Sequence, residues 1–302
     1  MHNFSSWQQR IGHQRELIWR GWQTRYSYRK AEQYQVNRPP LILIHGFGAS
    51  IEHWRNNIPF LSRHYSVYAL DLLGFGASRK ARTNYTIDLW IEQLHDFWQN
   101  IVGQPAILIG NSIGSLVCMN AVAKYPEMVE GIVMISLPDV SVRQELMPKL
   151  IQPLVTTLEN LVASPFLVKT LLKFLRQPTV INRWAKVAYE DETALNEELV
   201  KILSTPAYDE GAEHTFYSLF QGVRKPDFAI AAKDILPHLQ LPMLLIWGLQ
   251  DRMVPASLAK SFIQLNPSIE LIELRGVGHC PHDEKPEQFN QILVEWLQSK
   301  FI

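Results

Sequence analysis

Short runs of apolar residues recur along the chain, and apolar positions return at helical spacing between them. Leu41-Ile42-Leu43-Ile44 and Ala106-Ile107-Leu108-Ile109 contain no polar residue, as expected of strands buried on both faces. Further strands are expected at 66–70, 131–135, 243–247 and 269–274, and an antiparallel pair at 16–20 and 24–30, joined at Gly21-Trp22. Helical patterns at 87–101, 113–124 and 256–263 separate them. Residues 286–301, with Phe289, Ile292, Leu293, Trp296 and Leu297 apolar, read as a closing amphipathic helix. Alternation of this kind predicts an α/β fold: a mostly parallel, doubly wound eight-stranded sheet.

The alternation stops between 138 and 237. That stretch reads as about five helices, with breakers at Pro148, Pro153, Pro165, Pro178 and Pro206. It predicts an all-helical cap (138–237) inserted into a core formed by 1–137 and 238–302, lying over the C-terminal edge of the sheet. Within it, 166–176 is apolar round most of its circumference, and only Lys169, Lys173 and Arg176 form a polar stripe. Such a helix needs a second apolar neighbour, which is bound ligand, a bilayer surface or other cap helices. Leu171 and Leu172 are accordingly candidate substrate contacts. Near the N-terminus, Phe4, Trp7, Ile11 and Ile18 suggest an apolar stripe beside Arg10 and Arg15, either packed on the body or anchored at an interface.

The chemistry centres on Gly110-Asn111-Ser112-Ile113-Gly114, between a buried strand and a helical pattern. A serine flanked this way marks a nucleophile elbow: a sharp turn exposes the hydroxyl, and a Cβ at either glycine would meet crossing backbone. Asp251 follows the 243–247 strand and His279 follows the 269–274 strand. Ser112, Asp251, His279 is the Ser…Asp…His order of α/β-hydrolases, with each residue past the C-terminal end of a strand. Two backbone N–H groups would hold the oxyanion, those of Ile113 after the nucleophile and Phe47 in His45-Gly46-Phe47-Gly48. Phe47 is also a candidate substrate contact. Asp139, after the 131–135 strand, is a rival for the acid, and His45 reads as a loop brace.

Other assignments find little support. The chain has 302 residues, 47% hydrophobic, with 29 basic and 29 acidic side chains, so its charge gives no reason to expect nucleic acid. Two cysteines, Cys118 and Cys280, make no disulfide framework, and Ser112 already fills the nucleophile's role. No signal peptide is apparent, and the apolar stretch 105–123 is broken by Gly110, Asn111, Ser112 and Gly114, so no transmembrane span is expected. Gly-Phe-Gly-Ala-Ser occurs at 46–50 and again at 74–78, and neither copy completes a dinucleotide fingerprint. His282, Asp283 and Glu284 crowd after His279 without a matching ligand pair, and read as a loop network bracing His279. No metal and no cofactor are expected. Asp71 is expected to order its own turn through hydrogen bonds.

His45-Gly46-Phe47-Gly48, Asp71-Leu72-Leu73-Gly74-Phe75-Gly76, the elbow, Trp247-Gly248-Leu249-Gln250-Asp251 and Gly278-His279 together resemble the capped α/β-hydrolases over nearly the whole chain. The elbow and Gly276-Val277-Gly278-His279-Cys280-Pro281-His282-Asp283-Glu284-Lys285-Pro286 are similar to the cyanobacterial and plastid branch containing chlorophyll dephytylase and pheophytinase. That resemblance implies a serine hydrolase acting on an apolar ester, such as the phytyl ester of a chlorophyll-type pigment. Two cysteines without a disulfide framework suit a reducing compartment, and with the apolar cap helix the expectation is a cytoplasmic protein with peripheral contact to a membrane such as the thylakoid. Haloalkane dehalogenases and epoxide hydrolases are similar in cap placement but use an aspartate nucleophile, which Ser112 replaces here. A serine-dependent carbon–carbon bond hydrolase needs the same triad plus a cation for an acidic substrate, for which Arg143, Arg183 and Lys186 are candidates. A lipid or thioester hydrolase and a small-molecule receptor on the same fold are the remaining readings.

Overall fold

All eight expected strands join one sheet in the computed structural model, which describes residues 6–33, 38–140, 165–223, 225 and 227–301. They are β1 (His13–Trp19), β2 (Trp22–Arg29), β3 (Leu41–Ile44), β4 (Val67–Leu70), β5 (Ala106–Asn111), β6 (Val129–Ile135), β7 (Met243–Gly248) and β8 (Ile269–Leu274). Their spatial order is β1-β2-β4-β3-β5-β6-β7-β8, antiparallel at β1/β2 and β2/β4 and parallel elsewhere. Helices of two turns or more are α1 (Ile87–Phe97), α2 (Ile113–Lys124), α3 (Pro165–Leu175), α4 (Pro178–Ala188), α5 (Glu197–Ser204), α6 (Ala212–Val223), α7 (Ser257–Leu265) and α8 (Pro286–Phe301).

The apolar runs form strands because both faces are covered. Ile42, Ile44, Leu108, Met134 and Leu245 pack with Trp90, Leu116 and Phe262 of α1, α2 and α7. Their neighbours Leu41, Leu43, Ile109, Val133 and Ile246 pack with Trp54, Phe289, Leu293 and Trp296 on the opposite face. Each such side chain contributes about 1.5–3 kcal/mol by burial, which fixes the register of the central strands. The strand sequence reverses direction across the sheet between β3 and β5, so the loops after these two strands flank a switch point, where open α/β sheets bind ligands.

The N-terminal region differs from expectation. β1 starts at His13 because its polar residues are held by backbone pairing to β2, a signal that hydrophobic patterning does not carry. The turn is Arg20-Gly21, both at positive φ (50° and 82°), so Trp19 pairs directly with Trp22. Among the described residues no long apolar stripe forms. The first helix covers only Ser6–Arg10, Ile11 is fully buried, and Ile18 is 66% exposed on β1. Gly12 at φ 84° breaks the segment, and Phe4 lies outside the described residues.

Between β6 and β7 the described residues contain helices and turns without a strand. α4 and α5 build a small apolar cluster from Ala185, Ala188, Tyr189 and Leu199, which also takes in Cys280 beside the candidate base. α6 leans on the core, where a Cβ on Gly222 would lie 2.3 Å from the Tyr85 carbonyl oxygen.

Candidate active site

Ser112 closes the turn from β5 into α2 at φ 54°, ψ −118°, a conformation that ordinary L-residues avoid. The turn holds because its surroundings leave no alternative. The Ser112 N–H donates to the Ile135 carbonyl at 2.8 Å, and the Ser115 hydroxyl bridges Gly110 and Ile135 beneath it. A Cβ on Gly110 would sit 2.3 Å from Gly114, and one on Gly114 would sit 2.4 Å from the Ile44 carbonyl oxygen. Both glycines are therefore dictated by close backbone crossings. Ser112 itself is half-buried, and Ile113 opens α2, so its N–H has no acceptor inside the helix.

Asp251 and His279 meet at the ends of β7 and β8. Asp251 Oδ2 lies 2.8 Å from His279 Nδ1, while Oδ1 accepts the N–H groups of Met253 (2.8 Å) and Val254 (2.9 Å). Both carboxylate oxygens are thus engaged, and donation from His279 Nδ1–H to Asp251 leaves Nε2 as the nitrogen available to a reacting hydroxyl. Both residues are buried. The two loops interlock at Gly248, where a Cβ would lie 2.1 Å from the Gly278 carbonyl oxygen, and Gln250 Oε1 accepts Gly276 N–H at 2.7 Å. Asn111 Nδ2 donates to the His279 carbonyl at 3.1 Å, which ties the histidine loop to the serine turn. The histidine is engaged by Asp251; Asp139, half-buried beyond β6, makes other contacts.

The loop after β3 packs against the serine turn, since a Cβ on Gly46 would lie 2.7 Å from Asn111 Oδ1 and 3.5 Å from Ser112 Cβ. His45 braces it as expected: Nδ1–H donates to Gly46 O (2.8 Å) and Nε2 accepts Leu72 N–H (3.1 Å). Burial lowers the His45 pKa and keeps the ring neutral for that dual role. Asp71 ties two loops together, accepting Ile51 N–H and Ala77 N–H, each at 2.8 Å, and Arg25 Nε at 2.6 Å. Burial alone would raise its pKa, but the Arg25 charge and these donors bring it below the usual carboxylate value.

A cavity of about 350 Å³ opens beside this loop. Phe47 and Phe75, edge to face at 5.5 Å, form its floor, and Leu172, Leu175, Ile181, Trp184 and Leu219 form its walls. Leu172 is buried in the wall. Leu171 is not: it is 37% exposed and absent from the lining, because one residue turns the side chain by about 100° round the helix. The cations at the cavity are Arg176, stacked over Tyr208, and Lys80, held by the Gly76 and Ser78 carbonyls and Asp209. Arg183 and Lys186 face solvent instead, and Arg143 lies outside the described residues.

Sequence reasoning missed how firmly the insertion grips the histidine loop. The His279 N–H donates to the Ala188 carbonyl at 2.6 Å, and a Cβ on Gly278 would lie 2.3 Å from that same oxygen. Glu284 accepts three backbone N–H groups, from Gly278 (2.8 Å), Glu190 (2.9 Å) and Asp191 (2.7 Å), and so spans core and insertion. Arg252 pairs with Glu190, and Lys285 with Asp191. Asp283 accepts Arg55 at 2.6 Å and the Tyr189 hydroxyl at 2.7 Å. Tyr189 is also 2.8 Å from His53 Nε2, and His53 Nδ1 is 3.3 Å from His282 Nε2. Burial pushes His53 down to about 4 and His282 well below its usual value, so both rings are neutral near pH 7. His282 and Asp283 thus both reach His53, whose Nε2 lies 3.7 Å from Asp283 Oδ2, while Glu284 holds backbone N–H groups of the histidine loop and of residues 190–191. Burial raises the Cys280 thiol well above the ordinary range, which makes it a poor nucleophile.

The family model for the alpha/beta hydrolase fold matches residues 39–286, and the chain belongs to that family. It is 29% identical over 268 residues to 2-hydroxy-6-oxo-6-(2'-aminophenyl)hexa-2,4-dienoic acid hydrolase of Metapseudomonas resinovorans, covering 86% of this chain and 84% of the relative. It is 22% identical over 327 residues to chloroplastic pheophytinase of Arabidopsis thaliana, covering 91% of this chain and 64% of that protein. Among solved structures, a serine hydrolase involved in carbazole degradation superposes with a TM-score of 0.77 at 25% identity, covering 95% of this chain and 98% of the other. A bacterial membrane phospholipase A superposes with a TM-score of 0.78 at 25% identity, covering 97% and 88%.

Proposed function

We propose that the chain is a serine hydrolase that cleaves a carboxylic ester through an acyl-enzyme on Ser112. The observation that carries this reading is the Asp251–His279 pair, fully engaged at the ends of β7 and β8 and tied through Asn111 to the strained serine turn. In this mechanism His279 takes the Ser112 proton as the hydroxyl attacks the carbonyl carbon. Asp251 holds the tautomer and stabilises the imidazolium. The N–H groups of Phe47 and Ile113 receive the oxyanion, each worth about 3 kcal/mol of barrier in comparable enzymes. His279 returns its proton to the leaving alkoxide, then activates water to free the acid. Residues 138–237 act as a cap, and the aromatic and aliphatic cavity beneath it takes a large apolar group. A phytyl ester of a chlorophyll-type pigment suits that cavity and the pheophytinase likeness.

A second reading, hydrolysis of a carbon–carbon bond in a vinylogous diketone, draws support from the 29% identical dienoic acid hydrolase and from Arg176 at the cavity. The discriminating experiment is a panel of p-nitrophenyl esters, pigment esters and dienoate diketones assayed with the wild type and Ser112→Ala. Serine-dependent release of acid from esters, rising with chain length, is expected. Turnover of the diketones alone would replace the ester reading with the second one.

A further inference from the structure

α3 and α4 carry a one-sided charge. Residues 165–188 contain Lys169, Lys173, Arg176, Arg183 and Lys186 and no acidic residue, in a chain whose 29 basic and 29 acidic side chains balance overall. On the same two helices large apolar side chains face solvent: Phe174 is 57% exposed, Trp184 63%, Val187 38% and Leu171 37%. Leu171 and Phe174 stand three residues apart on α3, as do Trp184 and Val187 on α4, so each pair makes an outward ridge. Lys173 and Arg183 lie beside these ridges, exposed and without an acidic partner among the described residues. The ridges adjoin the cavity. Trp184 belongs to both surfaces, and Leu172 and Leu175 line the cavity beside Leu171 and Phe174.

We propose that the outer face of α3 and α4 docks on an anionic lipid bilayer, with Phe174, Trp184 and Val187 entering the interface and Lys173 and Arg183 meeting lipid phosphates. Exposed aromatic rings interleaved with unpaired cations suit the boundary between acyl chains and headgroups. Another protein's apolar patch would leave those cations unmatched, whereas an anionic surface satisfies rings and charges together. No helix among the described residues is long and apolar enough to cross a membrane, so the contact is peripheral. Docking would set the cavity mouth against the phase in which a long-chain ester resides. This last consequence rests on the ester hydrolase reading; the docking itself does not.

The test is co-sedimentation of the full chain with phosphatidylcholine vesicles, with and without phosphatidylglycerol, using Ser112→Ala so that turnover plays no part. Binding is expected only with the anionic lipid and should weaken as salt rises. Lys173→Glu/Arg183→Glu should cut partitioning at least about tenfold, since each basic residue near such a surface is worth about fivefold. Phe174→Ser should weaken binding while keeping the salt dependence. In the active background, these variants should hydrolyse soluble p-nitrophenyl acetate at the wild-type rate, which reports that they are folded. Binding that persists in both variants, or no binding to anionic vesicles, would overturn the proposal. So would light scattering that shows a dimer dissociated by Phe174→Ser, because a second copy would then be the occupant.

Discussion

The serine side and the histidine side of the candidate site are built on different principles. Ser112 is set by its own neighbourhood: β5, α2 and the crossing backbone of Ile44 leave the turn one conformation. His279 is set from afar. Its N–H is held by Ala188, its neighbour Gly278 by Glu284, and the supporting residues Tyr189, Glu190 and Asp191 all belong to the insertion. The serine turn is therefore held within the core, while the histidine loop is held by the core through Asp251, Gln250 and Asn111 and also by residues 188–191.

The largest effects should be blind to this difference. Ser112→Ala and His279→Ala should each lower kcat by about 10⁴-fold or more on a soluble ester, with unchanged circular dichroism, because triad members act as a unit. Asp251→Asn should lose about 10⁴-fold by presenting the wrong tautomer, and Asp139→Asn far less. A reversed ranking of the two aspartates would move the acid to position 139.

Glycine substitutions separate the two sides. Gly114→Ala drives a Cβ into the Ile44 carbonyl within the core, so it should lower global stability by about 3 kcal/mol or more in urea unfolding. Gly278→Ala drives a Cβ into the Ala188 carbonyl of the insertion. It should leave the core folded yet reduce kcat/KM by about 10²-fold through misplacement of His279. Equal global destabilisation by both would erase the proposed asymmetry.

Glu284→Gln keeps one carbonyl acceptor but loses the charge that gathers three N–H groups. A loss of about tenfold in kcat is expected, along with faster amide exchange at Gly278, Glu190 and Asp191 and no change at Ser112. Unchanged exchange at 190–191 would remove the clamp from the account.

The smallest effect is on acid stability. His53 has its pKa lowered by burial from 6.5 to about 4, so the unfolded state takes up a proton that the folded state refuses between these values. Stability contributed by the neutral ring is full above pH 6.5 and is lost as pH falls towards 4, by up to about 3 kcal/mol. Denaturation midpoints measured from pH 7 down to 4 should fall for the wild type and fall less for His53→Gln.

What could be read from the sequence was local or periodic. Strands covered on both faces appear as unbroken apolar runs, and a serine turn that requires glycines announces itself within five residues. The order of Ser112, Asp251 and His279 along the chain followed from the strands each one ends. The hairpin boundary escaped because β1 is held by backbone bonds, and the clamp escaped because its partners lie more than ninety residues apart. The twin pentapeptides make the limit plain. In Gly46-Phe47-Gly48-Ala49-Ser50 the phenylalanine is 49% exposed, whereas in Gly74-Phe75-Gly76-Ala77-Ser78 it is 5% exposed. Gly48 has open space around its missing Cβ, while a Cβ on Gly76 would lie 2.2 Å from the Asp71 carboxylate. Five identical residues fix the same propensity for a tight turn. Which ring is buried and which glycine is indispensable depends on the atoms brought against them, and only the folded chain supplies those.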